Sequence, residues 1–401
     1  MSKQFLKSAG KTGALVLLLV AYAILAYLAS RHTAYYNPYS LPGNDKIAFE
    51  KAKVTSVDSS EVHNDGKHPE LLVGSQEIAV TVLTGEFRGK SYSVTNNLNY
   101  DTNYLLKAGQ TVIVSVSSTG DGKTVNVNVN SPDRTPWLYL MAAVFAALLC
   151  LVGGKRGFKS VAAIGFMMTN VLFVFVPLLY LGVPPTGAAL IFAAVTSGIT
   201  LLLVGGWEWK TLIAVLGTVG GVIASAGIGL FFSTLTGTSG YTFSDTDSLL
   251  AISSHSGLKV GSLFFAAVLI SSLGAVMDIA ISVASSVNEV FHRSPGTGGK
   301  TLFASGMNVG RDMMGTMANT LILAFAGSSL VILIQIYTYN MPYYQVMNSN
   351  SIAAEMIQAL AGSTAVVLTV PLVSLLSAKL LPLFARRKES IAEEELTARS
   401  Q

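Results

Sequence analysis

The chain has 401 residues, of which 51% are hydrophobic and only 12% charged, with a mean hydropathy of +0.54. Soluble domains carry roughly 25% charged residues, so the composition excludes an ordinary cytosolic enzyme, and its apolar content excludes a disordered chain. The net charge is +4 with scattered basic residues, which excludes a nucleic-acid surface, and the one cysteine, Cys150, cannot form an internal disulfide.

Charge-free tracts locate membrane spans at 12–30, 136–154, 160–207, 211–244, 260–277, 313–354 and 356–378. A hydrocarbon core about 30 Å thick needs roughly 20 apolar residues of helix. The tract 160–207 therefore holds two spans, broken at Leu181–Gly187, where Pro184-Pro185 stands between glycines. The fold class expected is a polytopic α-helical membrane protein of about eight spans. A small extracytoplasmic all-β domain stands between the first two.

Residues 1–30 read as a tail with Lys3, Lys7 and Lys11, then an anchor helix. The apolar run from Ala14 to Ala29 is longer than a signal-peptide core, and no small-x-small site follows it, so an uncleaved anchor is expected. Residues 31–135 differ sharply, with 10 Lys/Arg against 11 Asp/Glu and β-branched residues alternating with polar ones. The alternation predicts strands at Ile47–Val57, Glu77–Thr84, Lys90–Thr95, Thr111–Ser117 and Thr124–Asn130. Turns are expected at Gly85–Gly89 and Gly120–Lys123. Five short strands suggest a small barrel, OB-like in kind, whose fold names no ligand.

Residues 136–382 read as a seven-helix membrane domain and 383–401 as a cytoplasmic tail. Pro177 and Pro371 predict kinks in the third and eighth spans. Gly217, Gly221, Ser225 and Gly229 form a four-residue stripe in the fifth span, expected to pack against a neighbouring helix, with pore lining as the alternative. The seventh span is expected to end near Tyr337, before an external loop reaching Asn350. Basic residues cluster on alternate connections: Lys155, Arg156 and Lys159; Lys210; Arg293, Lys300 and Arg311; Arg386, Arg387 and Lys388; the opposite short loops hold almost none, Lys259 being the exception. By the positive-inside rule both termini are cytoplasmic.

The sixth and seventh spans carry the candidate site. Asp278, Ser282, Ser285 and Glu289 fall at i, i+4, i+7 and i+11, and so share one helix face. Asn308, Asp312, Thr316 and Asn319, at i, i+4, i+8 and i+11, form a similar stripe, with Arg311 beside them. Ionised side chains at lipid depth are costly and commonly mark transport paths. The alternatives are structural. Asp278 lies at the interface if the sixth helix exits at Ala280, and well inside if it runs to Asn288. Asp312 can be an N-terminal anion, and Glu289 a solvated end residue.

Ser294–Thr301 imitates the end of a phosphate-binding loop, but a membrane helix precedes it where a strand is required. His63 and His68 offer at most a weak metal pair, and the histidines show no zinc-ligand spacing.

An N-terminal anchor, a β-rich external domain, and the motifs Gly274-Ala-Val-Met-Asp-Ile-Ala-Ile-Ser282 and Gly310-Arg-Asp-Met-Met-Gly-Thr-Met-Ala-Asn-Thr320 together resemble the bacterial YibE/YibF-like membrane proteins. The resemblance covers essentially the whole chain. It implies a multi-pass bacterial plasma-membrane protein, discussed as a transporter, and brings no substrate and no catalytic residues.

Three function classes follow. The first is a secondary transporter or exporter of a small solute or ion, its site formed by Asp278, Ser282, Ser285, Glu289, Asn308, Arg311, Asp312, Thr316 and Asn319. Such oxygens suit protons or hard cations. The second is an intramembrane aspartyl protease, disfavoured because neither a Tyr-Asp nor a Gly-x-Gly-Asp sequence surrounds the two acids. The third is a non-catalytic scaffold or accessory subunit docking a partner through the β domain. No enzyme activity and no cofactor is expected. The expected partners are the lipid bilayer, a small solute or cation, and a second copy or another membrane protein.

Overall fold

A computed structural model describes residues 46–100, 102–118, 125–243 and 245–399, together with residues 21, 22, 24 and 26–28 of the first span; side chains of the last helix are described as far as Phe384. Most of the predicted anchor, the tail lysines before it, the side chains of Arg386, Arg387 and Lys388, and the turn at Gly120–Lys123 lie outside the described residues. The chain divides into two compact units, Tyr35–Leu148 and Leu149–Gln401 with Met1–Ala34.

The first unit is built on five antiparallel strands: β1 (Lys46–Asn64), β2 (Leu72–Val82), β3 (Ser91–Leu98), β4 (Thr111–Ser118) and β5 (Val125–Pro132). Their order is β3-β2-β1-β4-β5. The long β1 pairs with β4 through its first half and with β2 through its second. Register shifts at Val54/Ser56 and Val57/Ser59 interrupt its ladder with β2, and such bulges bend a strand and increase its twist. The sheet curls into a half-barrel whose edge strands β3 and β5 come within 8 Å of each other. Alternation explains the filling: Ala52, Val54, Ile78, Val80, Val94, Val112, Val114 and Val116 point inward with Leu106.

β1 outruns its predicted end at Val57 and continues to Asn64, because its polar second half is held by pairing with β2 and not by an apolar face. Two buried amides brace the interior. Gln76 Oε1 accepts from Leu106 N at 2.9 Å and from Asn96 Nδ2 at 3.1 Å, and Gln76 Nε2 donates to the Leu106 carbonyl at 3.3 Å. The non-strand segment carrying Leu106 is thereby fastened over the core.

Helices follow: α1 (Thr135–Asn170), α2 (Val176–Tyr180), α3 (Pro185–Gly205), α4 (Trp209–Thr236), α5 (Thr246–Ser254), α6 (Leu263–Arg293), α7 (Gly299–Ser328), α8 (Leu330–Thr338), α9 (Tyr343–Met347) and α10 (Asn350–Arg399). Among the described residues, five helices are long and apolar enough to cross a membrane, or six if α7 and α8, bent by 64° at their junction, form one broken span. The first of the five runs Thr135–Tyr180, 46 residues or about 70 Å, twice what a bilayer needs. It is interrupted at Gly154, whose φ of 54° and ψ of −129° are non-helical and cost a glycine little. That interruption falls where Lys155 and Arg156 mark the predicted cytoplasmic turn.

A π-turn at Val171–Phe175 precedes Pro177, the local adjustment that accommodates a proline lacking its N–H. α10 runs as one helix through Pro371 and Pro382. The predicted break at Leu181–Gly187 is a turn with Gly182 at φ 90°, and α3 begins at Pro185. α4 ends at Thr236, eight residues short of its charge-free tract, because Gly237 takes a left-handed φ of 69° and caps it. α6 and α7 both extend beyond their tracts on the side of the loop that joins them, α6 on to Arg293 and α7 back to Gly299.

The stripe on α4 is a packing seam. A Cβ at Gly217 would fall 2.2 Å from Val373 Cγ2, one at Gly221 would fall 2.1 Å from Thr369 Oγ1 and 2.7 Å from Val276 Cγ1, and one at Gly229 would fall 3.1 Å from Val268 Cγ1. α4 thus runs antiparallel to both α6 and α10, with Val276 and Val268 of α6 following the stripe in reverse order. α7 closes the bundle in the same way, with Gly306 against Ser374 and Val287 and Gly310 against Val370. These close approaches let four long helices share one interior.

Candidate functional site

The level of each candidate residue follows from these seams. At one end of the bundle Trp209 stacks on Phe384, ring centroids 3.9 Å apart, beside the Glu208–Lys210 ion pair at 2.8 Å. Followed along the α4–α6 seam, that end is level with the region of Asn288 on α6. Asp278 therefore lies about ten residues, roughly 15 Å, further along the bundle. It stands at the midpoint of α6, Leu263–Arg293. On α7, Val287 faces Gly306, while Ser272 and Leu321 both face Gly362, so α6 and α7 are antiparallel and Asp278 is level with Gly315. Asp312 is about one turn away along the axis.

The local reason for this placement is uninterrupted helix. No glycine break occurs at Gly274, whose Cβ position is open, and the polar stretch Ser285–Arg293 continues the helix because Val283, Ala284, Val287 and Phe291 remain buried. The two carboxylates consequently occupy mid-helix positions, and Asp312 lies well inside α7 and not in its first turn.

Orientation is the other half of the geometry. Asp278 is exposed and Ser282 and Ser285 are half-buried, on the side of α6 opposite its buried residues Val276, Ile279, Ala280 and Val283. Asn308, Arg311, Asp312, Thr316 and Asn319 are all exposed. Arg311 Nη1 donates to Asn308 Oδ1 at 3.5 Å, and the Thr316 hydroxyl donates back to the Met313 carbonyl at 2.8 Å. Glu289 accepts from Arg293 Nε at 2.8 Å, one turn on, where both side chains are solvent-accessible. Among the described residues no hydrogen bond or ion pair joins Asp278 to Asp312, and neither acid pairs with Arg311. The sequence stripes are real faces of two adjacent antiparallel helices, at neighbouring levels, and they open outward from the bundle.

Other polar groups lie inside the bundle without a sequence signature that singled them out. Asn170, 2% exposed, donates to Thr196 Oγ1 at 2.8 Å and accepts from Tyr22 Oη at 3.0 Å, tying Tyr22 to α1 and α3. Each residue is common in membrane helices, and only the three together make the chain of hydrogen bonds. Glu355 is the overlooked acid. It precedes the tract 356–378 by one residue, yet α10 begins at Asn350, and Glu355 Oε2 is buried without a hydrogen-bond partner among the described residues.

An apolar cavity of about 430 Å³ lies between α4 and α10, lined by Ile228, Phe232, Met356, Ile357, Leu360 and Thr364. No carboxylate lines it, and Ile228 is level with Leu269 of α6, more than two turns from Asp278. It is separate from the polar faces. Among the described residues, no three histidine, cysteine or acidic side chains gather as a metal-binding group. The Ser294–Gly298 loop connects two helices, α6 and α7, without the strand a phosphate loop requires.

Residues 141–383 match the family described as YibE/F-like protein, and residues 49–132 match the YibE/F family N-terminal domain. No curated protein and no solved structure gives a match.

Proposed function

The chain belongs to the YibE/F-like family, and we propose that it is a secondary transporter or exporter of a small solute or ion, with Asp278 as the group that carries the exchangeable proton or hard cation. The observation that carries this reading is the position of Asp278 at the midpoint of a long apolar helix, without a partner among the described residues. A structural carboxylate at that depth would be paired, because leaving it ionised in hydrocarbon is costly. Ser282 and Ser285 supply hydroxyl oxygens on the same face, and α7 supplies Asn308, Asp312, Thr316 and Asn319 at neighbouring levels. Glu289 and Arg293 mark where that face reaches water. Carboxylate, hydroxyl and amide oxygens suit a proton or hard cation better than a soft metal.

The membrane arrangement proposed with it has eight spans in a bacterial plasma membrane and both termini in the cytoplasm. Gly154 divides α1, and α7 with α8 forms one broken span. The alternation of helix directions, with α4 and α7 opposed to α6 and α10, supports this arrangement. So does the basic-residue asymmetry. The half-barrel lies outside and is OB-like in strand number and partial closure.

The scaffold reading has its own supporting observation, the outward orientation of the α7 stripe, which suits a contact with another chain. One experiment separates the two. The full chain is reconstituted in liposomes containing a pH-sensitive dye, and proton flux is followed under an imposed sodium or proton gradient. Flux above protein-free liposomes that Asp278→Asn abolishes, at equal reconstituted amount, is the expected result. Absence of flux across proton and sodium gradients, or flux unchanged by Asp278→Asn, would remove Asp278 as the coupling group.

A further inference from the structure

The exposed face of α7 is polar over about three turns. Asn308, Asp312, Gly315 and Asn319 fall at i, i+4, i+7 and i+11 and form a seam, with Arg311 and Thr316 on its two flanks. The opposite face holds the buried Leu302, Gly306 and Gly310, pressed against α6 and α10. Gly306 is level with Val287, so Arg311 and Asp312 stand nearly two turns further along than the Trp209–Phe384 end of the bundle. In lipid this face would present a guanidinium, a carboxylate and two amides to hydrocarbon. Arg311 has one contact, with Asn308 at 3.5 Å, and among the described residues neither charge forms an ion pair.

We propose that this face is the contact between two copies of the chain, with Arg311 of each copy paired to Asp312 of the other. Three observations select a second copy as the occupant. The face is electrically self-complementary: one positive and one negative group, adjacent in sequence, balance against the same pair turned by a two-fold axis. In a bilayer all copies share one orientation, so a two-fold axis along the membrane normal sets equal levels of α7 side by side. Arg311 and Asp312 of opposite copies are then offset by about 1.5 Å along the axis, within reach of both side chains. Finally, the seam has room for close approach, since a Cβ at Gly315 would meet nothing within 4 Å. Asn308 and Asn319 each donate and accept, so like can meet like across the axis, as buried asparagines do in paired helices.

The pairing takes Asn308, Asp312 and Asn319 of α7 out of the polar site proposed above and leaves Asp278, Ser282 and Ser285 of α6 to carry it. The seam also explains why a face so polar can belong to a membrane helix: every group on it has a partner once two copies meet.

The test uses the full chain in bacterial membranes, with Cys150→Ser removing the native thiol. Gly315→Cys or Asn308→Cys is then oxidised with a copper–phenanthroline catalyst. A two-fold seam brings equal positions close enough for a disulfide, so a product of twice the chain's mass is expected from each. Ile191→Cys, 66% exposed on α3, should give none. A second arm exchanges charge. Arg311→Asp leaves two acids on the seam and Asp312→Arg leaves two bases, so each chain carrying one of them, with Gly315→Cys, should lose the cross-link. Co-expressed, the two should recover it as a mixed product, recognised by different tags. Equal cross-linking at Ile191→Cys, products only of some other mass, or no recovery by the mixed pair at normal membrane abundance would overturn the proposal. If the charge variants do not accumulate, the cysteine positions decide alone. Asp278→Asn should keep the cross-link while losing flux, so failure of the pairing and failure of the transport reading give different results.

Discussion

Asp133 shows how much one side chain can contribute where β5 ends and α1 begins. Its carboxylate is 5% exposed, accepts from Lys51 Nζ at 2.7 Å and from the Thr135 backbone N–H at 3.1 Å. These hydrogen bonds, the lysine first, hold its pKa below the ordinary carboxylate value, against a smaller opposing effect of burial. A carboxylate with a depressed pKa contributes stability above its unfolded pKa, about 3.9, and loses it as pH falls through the folded value. Thermal unfolding of residues 31–135 should therefore show a falling midpoint between about pH 5 and 3. Asp133→Asn should lower the midpoint at neutral pH and flatten that acid limb; an unchanged limb would mean that other carboxylates set it. Asp278 differs by having no such donors, and that contrast separates a structural acid from a candidate functional one.

At the scale of elements, the bundle is held by glycine seams more than by polar ties. α4 approaches α6 and α10 only because Gly217, Gly221 and Gly229 present no side chain to Val373, Thr369, Val276 and Val268. Gly221→Val would force the buried Thr369 and Val276 aside, and overpacking of this kind costs about 1–3 kcal/mol. Gly227→Ala, on the open face of the same helix, meets nothing within 4 Å. The thermal midpoint of the detergent-solubilised chain should drop clearly for the first substitution and stay near the parent for the second. Equal effects would point to helix propensity and away from the seam. The half-barrel uses the opposite device, a buried amide pair, Gln76 and Asn96, that fastens an irregular segment through its backbone.

For the whole molecule, the alternation of helix directions and of basic connections predicts the proposed topology. Thr297, between α6 and α7, should be cytoplasmic, while Ser59 in β1 and Ser349 before α10 should be outside. In a Cys150→Ser background, Ser59→Cys and Ser349→Cys should react with a membrane-impermeant maleimide in intact cells, and Thr297→Cys only after lysis. Labelling of Thr297→Cys in intact cells would reverse the orientation and with it the direction in which Glu289 and Arg293 face.

Much of this protein can be read from local pattern, because pattern and element are both local. Alternating Val and Thr residues with polar neighbours predict strands near their observed positions, since a pleated strand turns every second side chain to one face. Long apolar tracts predict the spans, and the spacing of Asp278, Ser282 and Ser285 predicts a shared face, since helical periodicity needs no tertiary partner. What lies across a face is decided elsewhere in the chain. The polar second half of β1 is a strand because β2 pairs with it, and α6 continues past its apolar tract because Val287 and Phe291 find a core. Gly217 and Gly221 predict a packing seam but leave pore lining as the alternative until Val373 and Thr369 stand against them. The outward orientation of Asp278 and Asp312 is likewise a tertiary fact: a helix wheel places two acids on stripes, but only the packing of α4, α7 and α10 around α6 determines which sides of those helices are already filled.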